Sequence, residues 1–147
     1  MTIAATVVPT GSREYNEIAS LLPKCCVTEI RSIENGTQGP FEIRSKGKKT
    51  QRMFHGTKKH SVIPIIKEGL KTDANVTSAY GRGTYFSPDP MFSLKGYTDG
   101  SRDELSYVFL CDIIMDETKK GTEFIYVCPR DESHCLRYLI VFYKQAE

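Results

Sequence analysis

At 147 residues, 39% hydrophobic and 26% charged, the chain falls in the ordinary range of one globular domain, which buries roughly 68–70% of its unfolded surface at that length, and outside the disordered and membrane classes. A formal net charge of +2 is too small to make the whole surface a nucleic-acid binder, so any basic site has to be local. An odd set of cysteines (Cys25, Cys26, Cys111, Cys128, Cys135), with no signal-peptide pattern at the start and no apolar run of membrane-spanning length, reads as reduced thiols of an intracellular protein, cytoplasmic or nuclear.

The first expected element is a helix capped by Ser12 and running to Leu22, with Ile18, Leu21 and Leu22 on one side, Arg13, Glu14 and Glu17 facing water, and Pro23 as its stop. Residues 1–26 are thereby expected to form an N-terminal helical segment of the same single domain, which spans 1–147. Residues 27–33 alternate as a half-buried strand does, and Asn35-Gly36 followed by Gly39-Pro40 marks a turn before order resumes at Phe41. Residues 44–52, with Lys46, Lys48 and Lys49 among glycine and serine, read as an exposed loop. RNA or DNA could meet such a run, but no aromatic side chains interleave its charges as stacking sites would.

Arg52-Met53-Phe54-His55 reads as a buried strand broken at Gly56 and Thr57. A helix follows over residues 61–69, with Val62, Ile65 and Ile66 at helical spacing, Pro64 in the tolerated first turn and Gly69 at the stop. Residues 105–115 are near-continuously apolar, as a central strand requires, and residues 122–128 and 135–143 are rich in β-branched and aromatic residues. Helices early and strands late make the class α+β.

Single polar residues decide little, since a histidine beside glycine is more often structural than catalytic. Cys128, His134 and Cys135 lack the paired half-sites of structural zinc, so no metal is expected. Neither Gly81-Arg82-Gly83 nor Gly96 makes a phosphate loop or a dinucleotide fingerprint. The combination carries more. Phe54-His55-Gly56-Thr57 is followed by Glu68-Gly69-Leu70, then by Tyr80-Gly81-Arg82-Gly83-Thr84-Tyr85-Phe86-Ser87, and finally by Glu123-Phe124-Ile125-Tyr126 and Arg137-Tyr138-Leu139-Ile140.

In order and spacing these motifs resemble the catalytic domain of the poly(ADP-ribose) polymerase-like ADP-ribosyltransferases, from about Met53 onward and more weakly over residues 30–41. The resemblance implies two packed, mostly antiparallel sheets with flanking helices. It implies NAD as co-substrate, without a metal, and a protein acceptor. The family's His, Tyr and Glu map onto His55, Tyr85 and Glu123 as the catalytic set. His55 would hydrogen-bond a ribose hydroxyl, Gly56 would offer backbone N–H and C=O to the carboxamide, and Tyr85 with Tyr97 would sandwich the nicotinamide ring. Ser93 would add a hydroxyl contact, and Thr57 and Phe86 complete the expected NAD-binding set.

The chemistry suits such a ligand. A carboxamide shows one donor side and one acceptor side, a glycine lets it approach without a Cβ in the way, and aromatic faces favour a flat cation. A carboxylate near the ribose stabilises the oxocarbenium-like state left as nicotinamide departs.

Two departures from the family pattern stand out. The interval from Tyr85 to Tyr97 is one residue longer than the family's, so Ser93 aligns only with an adjustment. The long acceptor-side loop of polymer builders is reduced to Asp116-Glu117-Thr118-Lys119-Lys120-Gly121. The short loop argues for transfer of single units, whereas the glutamate at 123 argues for elongation; single-unit transfer is the expectation. Two rivals remain: an NAD-consuming RNA 2′-phosphotransferase, which Tyr85 disfavours where that chemistry prefers a basic residue, and a non-catalytic module of the same fold binding ADP-ribose or a protein.

Overall fold

A computed structural model describes residues 5–71, 80–90 and 104–144. In chain order the elements are β1 (Ala5–Val7), α1 (Arg13–Ala19), β2 (Cys25–Ile33), α2 (Gln38–Arg44), β3 (Thr50–Thr57), α3 (Val62–Glu68), β4 (Thr84–Phe86), β5 (Ser106–Ile114), β6 (Lys119–Lys120), β7 (Tyr126–Cys128) and β8 (His134–Lys144). The strands form a five-stranded sheet in the order β1-β2-β8-β5-β3 and a three-stranded sheet in the order β4-β7-β6, with every paired neighbour antiparallel. The class is α+β, with two antiparallel sheets and few helices.

The apolar run at 105–115 is β5, and it lies between β8 and β3 with most of its side chains sealed from water. Alternation along it divides the core. Val108 and Leu110 turn to one face of the large sheet with Ile30, Phe54, Ile140 and Phe142, and Tyr15 and Ile18 of α1 close that face together with Leu22 from the turns that follow it. Phe109, Cys111 and Ile113 turn to the other face with Met53, Leu136 and Leu139. There they meet Val62 and Leu70 at the two ends of the α3 segment, and Phe86 and Cys128 from the small sheet. Each large side chain buried in these layers contributes about 1.5–3 kcal/mol.

Several expectations are revised. Ser12 does cap α1, its Oγ accepting from the Tyr15 N–H at 3.1 Å, but the helix ends at Ala19 and residues 20–22 continue as turns. The N-terminal segment is not only helical, since β1 pairs with the end of β2. Gly39 and Pro40 are not a turn but the first turn of α2, where proline's missing N–H costs nothing. The Asn35 side chain accepts from Thr37 and the Gln38 amide donates to Ile33 and Leu136 carbonyls, which fixes the entry to α2; Phe41 then buries with Ile114 and Cys135.

The basic loop is also tighter than expected. Arg44 and Lys48 both bond Glu117, at 2.6 and 2.5 Å, and the buried Ser133 hydroxyl donates to the same carboxylate at 2.5 Å. These contacts hold the Glu117 carboxyl down to about 2. Among the described residues no helix is long and apolar enough to cross a membrane.

Candidate active site

The two sheets touch along the outer edge of β3, the last strand of the large sheet. The Phe54 N–H donates to the Ser87 carbonyl at 2.7 Å and the Ser87 N–H returns a bond to the Phe54 carbonyl at 3.0 Å, forming a single isolated bridge. Backbone groups alternate in direction along a strand, so Gly56, two residues on, directs its N–H and C=O to this same edge while His55 and Thr57 turn theirs to β5. The ladder does not continue past the bridge. The Tyr85 carbonyl that would extend it faces the His55 imidazole instead, with Nδ1 at 2.8 Å. β3 and β4 therefore part at Gly56.

A carbonyl can only accept, so His55 Nδ1 carries the hydrogen and the neutral ring keeps a lone pair at Nε2 for a donor. Burial lowers the His55 pKa, and the bond to the Tyr85 carbonyl opposes that shift only in part, so the ring is neutral near pH 7. Phe86, only 2% exposed, supports the imidazole from the core at 5.7 Å between ring centroids. The rings of Phe86 and His134 are 5.2 Å apart. Phe86 and Thr57, both expected in the NAD-binding set, are buried, Phe86 against the His55 ring.

Tyr85 is half-buried. Its hydroxyl accepts from the Tyr80 N–H at 2.9 Å and donates to the Gly81 carbonyl at 2.7 Å, so the preceding turn clamps the ring. The glycine pair in this motif has a structural reason. Gly81 has a φ of +98°, and a Cβ at Gly83 would stand 2.7 Å from the Cys128 carbonyl oxygen, so only glycine lets β4 lie this close to β7.

Glu123 does not lie on a strand. The strand expected over 122–128 begins at Tyr126, and Glu123 occupies an exposed turn joining β6 to β7, closed by bonds from the Gly121 and Thr122 amides to the Ile125 carbonyl at 2.8 and 3.1 Å. The Thr122 hydroxyl accepts from the Phe124 N–H at 3.1 Å, and this local bonding outcompetes the β propensity of the segment. His55 and Tyr85 are brought together directly, whereas Glu123 is linked to them only by lying on the hairpin whose β7 pairs with β4. Ser93 and Tyr97 lie outside the described residues.

Sequence reasoning gave no role to three features. Ser87 forms the bridge that ends the ladder, and Tyr80 packs between Tyr85 and Gly121. His134 is 4% exposed with Nε2 lacking a hydrogen-bond partner among the described residues, and burial pushes its pKa down to about 4. Only the Tyr80 motif left a trace in the sequence. Among the described residues no group of three or more potential ligands could hold a metal, and Cys128 and Cys135 belong to different core clusters. Burial raises the Cys111, Cys128 and Cys135 thiols, the last to about 11, so none is a ready nucleophile.

Comparison with known proteins places the chain in one family. The model of the poly(ADP-ribose) polymerase catalytic domain matches residues 12–137. A relative from Invertebrate iridescent virus 6, described as a putative poly [ADP-ribose] polymerase-like protein 100L, is 36% identical over 87 residues. That match covers 56% of this chain and 44% of the viral protein, so the chain spans less than half the length of this relative.

Proposed function

The chain belongs to the poly(ADP-ribose) polymerase catalytic-domain family, and on that premise we propose that it cleaves the nicotinamide–ribose bond of NAD and transfers ADP-ribose, as single units, to a protein acceptor. The observation that carries this reading is the parting of β3 and β4 beyond the Phe54–Ser87 bridge, with His55 Nδ1 bonded to the Tyr85 carbonyl. It turns the Gly56 N–H and C=O to the outer edge of β3, beside Tyr85, and it leaves His55 Nε2 as an acceptor.

The residues suit the substrate. Gly56 would donate to the carboxamide oxygen and accept from its NH₂, which selects nicotinamide over nicotinic acid, whose carboxylate has no donor. The Tyr85 ring would face the pyridinium cation. His55 Nε2 would accept from a ribose hydroxyl, which a protonated imidazole could not do.

In the reaction the bond between ribose C1′ and the pyridinium nitrogen breaks, and its electron pair neutralises the leaving ring. Positive charge is left on C1′ and the ring oxygen, where the Glu123 carboxylate would stabilise it. The acceptor's nucleophile then bonds to C1′ and loses its proton. Single-unit transfer is supported by the short connection from β5 to β7, which Glu117 pins to Arg44, Lys48 and Ser133. Little chain is left there to cradle a growing polymer.

Incubating the purified chain with NAD labelled in the adenylate, alone, with a protein mixture or with 2′-phosphorylated RNA, tests the proposal. Protein bands shifted by one labelled unit are expected. Phosphate transfer from RNA to NAD, or no consumption of NAD, would replace the proposal with one of its rivals.

A further inference from the structure

The tyrosine wall and the acidic turn are linked through a second aromatic side chain. Tyr80 is held at its backbone by the Tyr85 hydroxyl, which accepts from its N–H at 2.9 Å, and the two rings lie 6.4 Å apart, tilted at 52°. The Tyr80 ring also lies against the backbone of Gly121. A Cβ at residue 121 would fall 2.9 Å from Tyr80 Cγ, 3.0 Å from Cδ1 and 3.1 Å from Cβ, so no residue with a side chain fits unless the ring or the turn shifts.

Gly121 is the root of the turn that carries Glu123. Its N–H and that of Thr122 share the Ile125 carbonyl, and the Ile125 N–H returns a bond to the Thr122 carbonyl at 3.3 Å. The turn is therefore stiff within itself, and beyond the β6–β7 ladder at its base its root at Gly121 rests on the Tyr80 ring. Neither Tyr80 nor Gly121 belongs to the core clusters that hold the sheets together. Their contact links Tyr85 to the Glu123 turn through the Tyr80 ring.

We infer that Tyr80 is a positioning residue: its ring is the backstop on which the Gly121 turn seats, fixing the Glu123 carboxylate relative to Tyr85. The inference rests on the catalytic role proposed for Glu123. A misplacement of about 1 Å at a reacting group costs up to about 100-fold in rate, so the backstop acts on kcat, whereas NAD binding by Gly56 and Tyr85 is left alone.

The test measures kcat and KM for NAD, with melting temperature beside them, in Tyr80→Phe, Tyr80→Leu, Gly121→Ala, the Tyr80→Leu/Gly121→Ala pair and Glu123→Ala. Tyr80→Phe keeps the ring and retains wild-type kcat. Tyr80→Leu and Gly121→Ala each lose about 10- to 100-fold in kcat with KM nearly unchanged. The pair is no worse than Tyr80→Leu alone, because the shorter side chain makes room for the new Cβ.

Full kcat in Tyr80→Leu, or a pair whose losses multiply, overturns the inference. Should Gly121→Ala melt early, the two Tyr80 variants carry the comparison without it. Full kcat in Glu123→Ala removes the reading of Glu123 itself, whereas an inactive Glu123→Ala beside a fully active Tyr80→Leu removes only the backstop.

Discussion

His55 and Tyr85 meet through a side chain and a main chain: imidazole Nδ1 lies 2.8 Å from the carbonyl oxygen of residue 85, not from its phenol. The orientation of the histidine therefore survives any change in the tyrosine ring, and the two can be altered separately. His55→Ala removes both the Nε2 acceptor and the group that stands in for the next rung of the ladder. We expect it to abolish NAD cleavage, a loss of about 100-fold or more, while Phe86 keeps its core contacts. A radiolabel assay on the folded variant checks this.

Tyr85→Phe and Tyr85→Ala should differ. Phenylalanine keeps the aromatic face but frees the Tyr80 N–H and Gly81 carbonyl that the hydroxyl now joins, so about a tenfold fall in kcat/KM is expected, near the value of one hydrogen bond. Alanine removes the face itself and should abolish activity. Equal activity in Tyr85→Ala and wild type would remove the ring from the site.

Glu123→Ala should lower turnover strongly without unfolding the chain, because the residue is exposed on a turn. Exposed substitutions of this kind stay within about 0.5 kcal/mol in stability. Urea denaturation beside the kinetic assay separates the two effects.

Acid should destabilise the protein in two distinct windows. His134 is pushed down to about 4 from an ordinary 6.5. Above 6.5 neither state of the chain holds the proton; as pH falls from there to about 4 only the unfolded chain takes it up, so stability declines by roughly 3 kcal/mol through that interval. Glu117 works lower, since its carboxyl is held at about 2 against an ordinary 4.5. Its contribution is complete above 4.5 and is lost as pH falls toward 2. His134→Leu should flatten only the upper window, and Glu117→Gln only the lower. Chemical denaturation at stepped pH reads both.

Gly83→Ala should damage the small sheet. Its Cβ would meet the Cys128 carbonyl oxygen and a Val127 methyl at 2.7 Å, and relieving that clash means prising β4 from β7 at a cost of about 1–3 kcal/mol. A lowered melting temperature together with a raised KM for NAD is the expected signature. Unchanged values of both would mean that the strands can separate there freely.

Much of this was legible in the residues. The apolar run of β5, the cap at Ser12 and the helix ending at Gly69 follow from local pattern, and His55 with Tyr85 stood out through the resemblance of the motifs around them to the family's catalytic domain. What was not legible depends on contacts between distant segments. The Gly39-Pro40 pair looks like a turn until Phe41 is seen to need burial beside Ile114 and Cys135. Thr122-Glu123-Phe124 has strand-forming side chains, yet the Thr122 hydroxyl and the Ile125 carbonyl capture its amides. The burial of His134, weighed in the sequence only as a metal ligand, was not legible, since it is decided by Phe86 and by a neighbouring strand.

The order of strands in the large sheet has a bearing on biosynthesis. β8 follows every other strand yet lies between β2 and β5, joined to both along most of its length. Until it leaves the ribosome, those two partners present bare, apolar edges with nothing to zip against, and pairings this remote along the chain close slowly. Removing residues 134–144 would thus split the sheet into a β1–β2 pair and a β5–β3 pair rather than trim its margin, and until β8 arrives both halves stay exposed to proteases along those edges.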